Sequence, residues 1–232
     1  MIRSGTFEEA VFAAIENYMG NVYTAIPCRV IAVRTSQSGA MVDIQPTINQ
    51  RFRDGSTSPR SPILGVPVSF PVSSNAGVIF PVGIGTTGLA VFSMRSMDSW
   101  KGGDGGNSTP TNFAKFDKSD AVFFPGIQPP REFVGIPSKH AFGRNLADVV
   151  VFNNLGSGQE NEIRLAPNGN VAINTNQDVN INCANFNVNA SGANFNIGNT
   201  SWSGDYSGSG TFTFNGVVFE THVHGTSPPP SN

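Results

Sequence analysis

Between Tyr23 and about Pro130 the chain alternates apolar and polar positions in short runs. Ile26, Cys28, Val30 and then Ala32 or Val33 form one run, and Ala40, Val42 and Ile44 form the next, after a turn signal at Ser38–Gly39. Val66, Val68 and Phe70 make a third, Val78, Phe80 and Val82 a fourth, and Gly88 to Met94 a fifth. Asp120 to Gly126 (DAVFFPG) is the last apolar segment before Pro129–Pro130, and Lys101 to Asn112 (KGGDGGNSTPTN) reads as a flexible loop. Short alternating runs punctuated by Gly, Pro and Ser predict a small antiparallel barrel or sandwich. Ahead of it the period changes to helical. Phe7, Val11, Ala14, Ile15 and Tyr18 share a face, Thr6 and Glu9 fit a capping box, and Gly20 supplies a stop. The spacing predicts a helix over about 6–19, whose apolar stripe needs a surface, on its own domain or on a partner.

After about residue 150 the alternation persists but the polar partner changes. Residues 151–200 contain 15 Asn, set between Val171 and Ile173, then Val179, Ile181 and Cys183, then Phe186, Val188 and Ala190, then Ala193, Phe195 and Ile197. Period two, apolar in and Asn out, is the pattern of a half-buried strand. The apolar phase shifts from odd to even numbers and back, which implies corners and hence a β-solenoid or β-helix. Runs of two or three small apolar residues enclose little core, so several chains must share it. A threefold intertwined β-prism is the simplest closed solution, and cyclic symmetry removes free sheet edges.

Charge sharpens the division. Only 13% of the 232 residues are charged, about half the usual share, and the net charge is −2. Arg164 is the last basic residue, and from Leu165 onward the acids are Asp178, Asp205 and Glu220 alone. Neutral Asn, Ser and Thr suit a surface repeated three times about an axis, where each charge would face its own copies. With 14 basic against 16 acidic residues there is no basic stripe for nucleic acid. No apolar run is long enough for a transmembrane helix, and Glu8, Glu9 and Glu16 break any signal peptide. Cys28 and Cys183 both sit in alternating runs and read as buried small hydrophobes. The basic residues stop so sharply that a boundary falls near 131–150.

Candidate chemistry lies at the C-terminal end. In Glu220-Thr221-His222-Val223-His224-Gly225, His222 and His224 face the same side of an extended chain. A threefold axis would turn two imidazoles into six nitrogens, an octahedral set. Zinc prefers four ligands and copper a tetragonal field, so iron(II) comes first, with nickel or cobalt as alternatives. A saturated shell leaves no open position, so the metal would be structural, one ion per trimer. His140 stands alone in the 131–150 segment and reads as a surface or packing residue. Glu160 and Glu162 share a face at period two and read as solvated surface acids rather than a glycosidase pair. No P-loop, GxSxG or HExxH motif occurs, and no catalytic residues are assigned.

The order of helix, small barrel, linker, narrowing β-helix and HxH tip resembles the central membrane-piercing spike proteins of contractile-tailed bacteriophages. The most specific segment is Gly88 to Gly126, with GLAVFSMRSMDSW, the Gly-rich loop and DAVFFPG, which looks like that family's oligonucleotide/oligosaccharide-binding (OB) barrel. THVHG looks like its iron-binding end, carried onto His222 and His224. The resemblance implies an all-β fold: helix 1–20, OB-fold domain 21–130, linker 131–150, intertwined trimeric β-helix shaft 151–220, and metal-binding tip and tail 221–232. It implies a homotrimer in the virion, at the tail tip, attached to baseplate hub or tail tube proteins and driven through the host outer membrane on sheath contraction. Unlike some spikes, this chain has only about 20 residues where a lysozyme domain would sit, so it is expected not to be an enzyme. Two other readings stay open. One is a receptor-binding or polysaccharide-degrading tail spike, with Trp202 and Tyr206 as its only candidates for sugar stacking. The other is the puncturing tip of a secretion system.

Overall fold

In the computed structural model, residues 6–20, 22–36, 39–52, 54–194, 196–197, 201, 203, 213–214 and 217–218 are described. The chain forms two compact units, residues 1–178 and 179–232.

Unit one opens with helix α1 (Phe7–Gly20). Its capping box is formed as the sequence predicts. The Thr6 amide donates to Glu9 Oε2 at 2.8 Å and the Glu9 amide to Thr6 Oγ1 at 3.3 Å, so two amides that lack helical partners are satisfied. The helix buries none of its residues, and Phe7 is 85% exposed.

Strands β1 (Ala25–Ser36), β2 (Gly39–Pro46), β5 (Ile63–Pro67), β6 (Thr87–Phe92) and β7 (Ala121–Pro125) build one antiparallel sheet in the order β5-β2-β1-β6-β7. Two short strands, β3 (Gln50–Arg51) and β4 (Thr57–Ser58), pair as a separate ribbon. Helix α2 (Asp98–Lys101) lies between β6 and β7. The alternating residues named from the sequence converge on one core: Cys28, Val30, Val42, Ile44, Val66, Ala90, Phe92 and Phe123 are all buried. The choice between Ala32 and Val33 is explained by a β-bulge. Val30 pairs with Ile44 but Ala32 with Asp43, so the inward phase of β1 slips by one residue at Ile31. Beyond β5, Val68 bridges Phe123 in parallel and the Ser69 amide donates to the Phe123 carbonyl at 2.8 Å. The sheet thereby curls into a half-barrel around Phe123. Gly88 has to be glycine, because a Cβ there would sit 2.4 Å from the Phe124 carbonyl oxygen and 2.6 Å from the Phe123 ring.

The fourth apolar run, Val78 to Val82, is not a strand. Val72 and Gly77 form only an isolated bridge, and the Val78 amide reaches back to the Pro71 carbonyl. Pro81 cannot donate to a ladder, and Val78 and Ile79 remain exposed.

Residues 126–148 carry two short 3-10 turns, Pro130–Glu132 and Pro137–Lys139. They lead into an antiparallel meander of β8 (Val149–Asn153), β9 (Asn161–Leu165) and β10 (Val171–Thr175), in the order β8-β9-β10.

In unit two the described strands are β11 (Thr213–Phe214) and β12 (Val217–Val218). Residues 179–194 form no ladder, although Val179, Ile181, Phe186 and Val188 keep their alternation. Cys183 is exposed, against the expectation that both cysteines are buried. Cys28 is buried inside the half-barrel, which pushes its thiol up to about 11. Cys183 lies on a segment that pairs with no strand among the described residues. No helix among the described residues is long and apolar enough to cross a membrane.

Candidate functional site

The β8-β9-β10 meander has two unlike faces. On one, Val149, Leu165 and Val171 lie in one cross-strand row and Val151, Ile163 and Ile173 in the next. These six aliphatic side chains are 48 to 67% exposed. The opposite face carries Val150, Phe152, Glu162, Arg164, Ala172 and Asn174, and the 131–148 segment covers part of it. The sheet therefore turns its aliphatic face to solvent and buries carboxylates. Burying apolar area contributes about 25 cal/mol per Å², so covering the aliphatic face as well would stabilise this arrangement further.

The polar face is a connected cluster. Glu160, just before β9, and Glu162, within it, are 1% and 3% exposed. Both acids point the same way, as their spacing predicts, but they are not solvated. His140, expected to stand alone as a surface or packing residue, is buried against them. Its Nδ1 lies 2.9 Å from Glu160 Oε1 and its Nε2 lies 2.9 Å from the Val134 carbonyl oxygen. Its ring meets Phe152 edge-on at 4.9 Å. Glu160 Oε2 accepts from the Ala141 amide at 3.1 Å. Glu162 Oε1 accepts from Asn174 Nδ2 at 2.8 Å and lies 3.8 Å from Arg164 Nε. Arg164 also donates to the Gly143 carbonyl at 2.6 Å, which holds the 131–148 segment against the sheet. The burial has a simple cause: that segment folds back over the very face on which the two acids lie.

The half-barrel also carries buried carboxylates, among them Asp43. Arg34 grips the Asp43 carboxylate with two nitrogens, NH2 to Oδ2 at 2.9 Å and Nε to Oδ1 at 2.8 Å, and the Gly65 amide donates to Oδ1 at 2.8 Å. The Arg34 hydrogen bond holds the Asp43 carboxyl below the usual carboxylate range.

His222 and His224 lie outside the described residues, as do Glu220, Trp202 and Tyr206. The tip thus stands on the sequence. The His140 cluster is the site that sequence reasoning missed. The signal for it was the period-two spacing of Glu160 and Glu162.

Residues 26–126, the half-barrel from β1 through β7, match the family model of the phage protein Gp138 N-terminal domain. The match supports a phage structural protein. It covers somewhat under half of the chain, and it also supports a place in the virion. The search of curated proteins returned no match.

Proposed function

We propose that this phage structural protein is the puncturing spike of a contractile tail: a homotrimer with an OB-type barrel (21–130) docked on baseplate hub or tail tube proteins and an intertwined β-helix shaft (151–220) driven through the host outer membrane. The observation that carries this reading is the aliphatic face of the β8-β9-β10 meander. It bears no charge, and the same alternation continues through Val179, Ile181, Phe186 and Val188, which are exposed in the single chain. A face whose pattern repeats along the chain fits other copies of that chain, which bring the same pattern about a shared axis. Such a needle needs no catalysis. Glu160 and Glu162, buried beneath the 131–148 segment, offer no carboxylate pair to a sugar, which disfavours the polysaccharide-degrading alternative.

At the apex, His222 and His224 from three chains would hold one structural iron. Locking three chain ends together would close the axial core against water. The test is elemental analysis together with mass in native solution. One iron per three chains is the expected result, with iron lost but the trimer retained in His222→Ala/His224→Ala. A monomeric mass would sink the shared-core reading, and a metal-free trimer would sink the iron tip alone.

A further inference from the structure

We propose that His140, Glu160 and Glu162 form a second metal site, one per chain, which binds a divalent first-row cation such as Zn2+ and pins the 131–148 segment to the β8-β9-β10 meander. Each of the three residues offers a ligand atom, and these atoms lie within 4.8 Å of one another, all in buried side chains.

Two independent observations point to a cation. The first is an oxygen without a partner. Glu162 Oε2 is buried and makes no hydrogen bond, although Glu162 itself is 3% exposed. Leaving a carboxylate oxygen dry and unpaired is costly, and a metal ligand is a role that removes the cost. The second is the orientation of His140. Its Nε2 faces the Val134 carbonyl and so serves as the N–H donor. That leaves the Nδ1 lone pair aimed at Glu160 Oε1, only 2.9 Å away. Lone pair and carboxylate repel unless a cation lies between them. A ring N–H given to a backbone carbonyl, with the other nitrogen facing carboxylates, is the arrangement by which proteins orient metal-bound histidine. With bonds of about 2.1 Å, neighbouring ligands sit about 3.0 Å apart in an octahedron and about 3.4 Å apart in a tetrahedron, so the 2.9 Å between Nδ1 and Oε1 is near the first, and a tetrahedral zinc would need the two ligands to part by about half an ångström.

The charge balance agrees. Asp148, whose side chain is 4% exposed, lies 4.0 Å from Arg164, the same guanidinium that approaches Glu162. Two nearly dry carboxylates, Glu162 and Asp148, thus share one arginine, while the Glu160 carboxylate is met by the neutral imidazole and the Ala141 amide. A divalent cation between Glu160 and Glu162 would offset the negative charge gathered there. Imidazole with carboxylates suits zinc and its first-row neighbours better than calcium or magnesium.

The competing occupant of the gap is a proton, which would make His140 an imidazolium paired with Glu160. The experiment separates the two. The full chain carrying His222→Ala/His224→Ala retains a single histidine, His140, so the tip cannot contribute. This variant, stripped with chelator, is titrated with Zn2+ by calorimetry. The expected result is saturation at one Zn2+ per chain, with affinity at least tenfold weaker after Glu162→Gln, which keeps the side chain's size and removes its charge. Absence of saturable binding, or unchanged affinity in both Glu162→Gln and Glu160→Gln, overturns the proposal. Should the glutamine variants fail to fold, Cu2+ on the parent decides. Spin-echo modulation from one imidazole nitrogen supports the site, and its absence overturns it. None of these outcomes depends on whether the apex holds iron.

Discussion

The half-barrel and the β8-β9-β10 meander begin from the same sequence pattern and end with opposite faces to water. In the half-barrel, alternate positions of β1, β2, β5, β6 and β7 converge, and Cys28, Val30, Ile44, Ala90 and Phe123 are buried within one chain. In the meander, alternate positions of three strands line up just as regularly, yet Val151, Ile163 and Ile173 face outward. Alternation specifies two faces. What lies over each face decides which is core. The half-barrel covers its own inner face by curling, through the Val68–Phe123 bridge. The meander receives the 131–148 segment on its polar side, and its aliphatic side is the face proposed to meet other copies of the chain.

The sharpest way to break this comparison is to charge the aliphatic face. Val151→Asp with Ile163→Asp removes two aliphatic side chains per chain, six in the proposed trimer. Each is worth about 1.5–3 kcal/mol when fully buried, and each new carboxylate would be buried beside its copies. Sedimentation at fixed concentration should show the trimer replaced by monomer, with the half-barrel's circular dichroism and unfolding midpoint retained. A double variant that stays trimeric would show that this face is not the shared core.

The half-barrel should respond in the opposite manner. Phe123 is fully buried and touches the strand crossing at Gly88. Phe123→Ala should cost about 3–5 kcal/mol, read from the urea midpoint, and the loss should not depend on protein concentration. The meander variant's deficit should depend on it steeply. If both deficits scale with concentration, the half-barrel too is completed by another chain, and the contrast fails.

These two regions also differ in how much the sequence discloses. Half-barrel strands such as β1, β6 and β7 were legible because their buried positions recur every second residue, whereas in β5 the buried Ile63 and Val66 are three apart. Val78, Phe80 and Val82 show the same period, but Pro81 lacks a donor and the Val78 amide bonds back to Pro71, so pattern alone misassigns them. In the meander the pairing of Glu160 with Glu162 on one face was legible. Their burial was not, because the residue that covers them, His140, is 20 positions away in a segment with no period of its own. Whether Val149 or Glu162 faces water depends on that long-range contact, which local alternation does not encode. The HxH tip is legible only as residue type and spacing.

The mildest test concerns how each region holds its charges. In the half-barrel, Asp43 is gripped at the sheet by Arg34, whose own side chain is 51% exposed. Because the Arg34 hydrogen bond holds the folded carboxyl below its ordinary range, the contribution is present above the unfolded aspartate value of about 3.9. It disappears as pH falls through the folded value. Asp43→Asn should therefore cost about 1–2 kcal/mol at pH 7, a charged hydrogen bond discounted for the exposed guanidinium. The gap to the parent should close as pH drops from 5 toward 3. Added salt should narrow it at pH 7, since one partner is half in solvent. Urea midpoints at pH 7, 5 and 3 check this. A deficit that persists undiminished at pH 3 would mean that Asp43 holds β5 to β2 through the Gly65 amide by shape rather than charge. The half-barrel would then share with the meander a dependence on uncharged geometry, and the contrast between the regions would rest on their apolar faces alone.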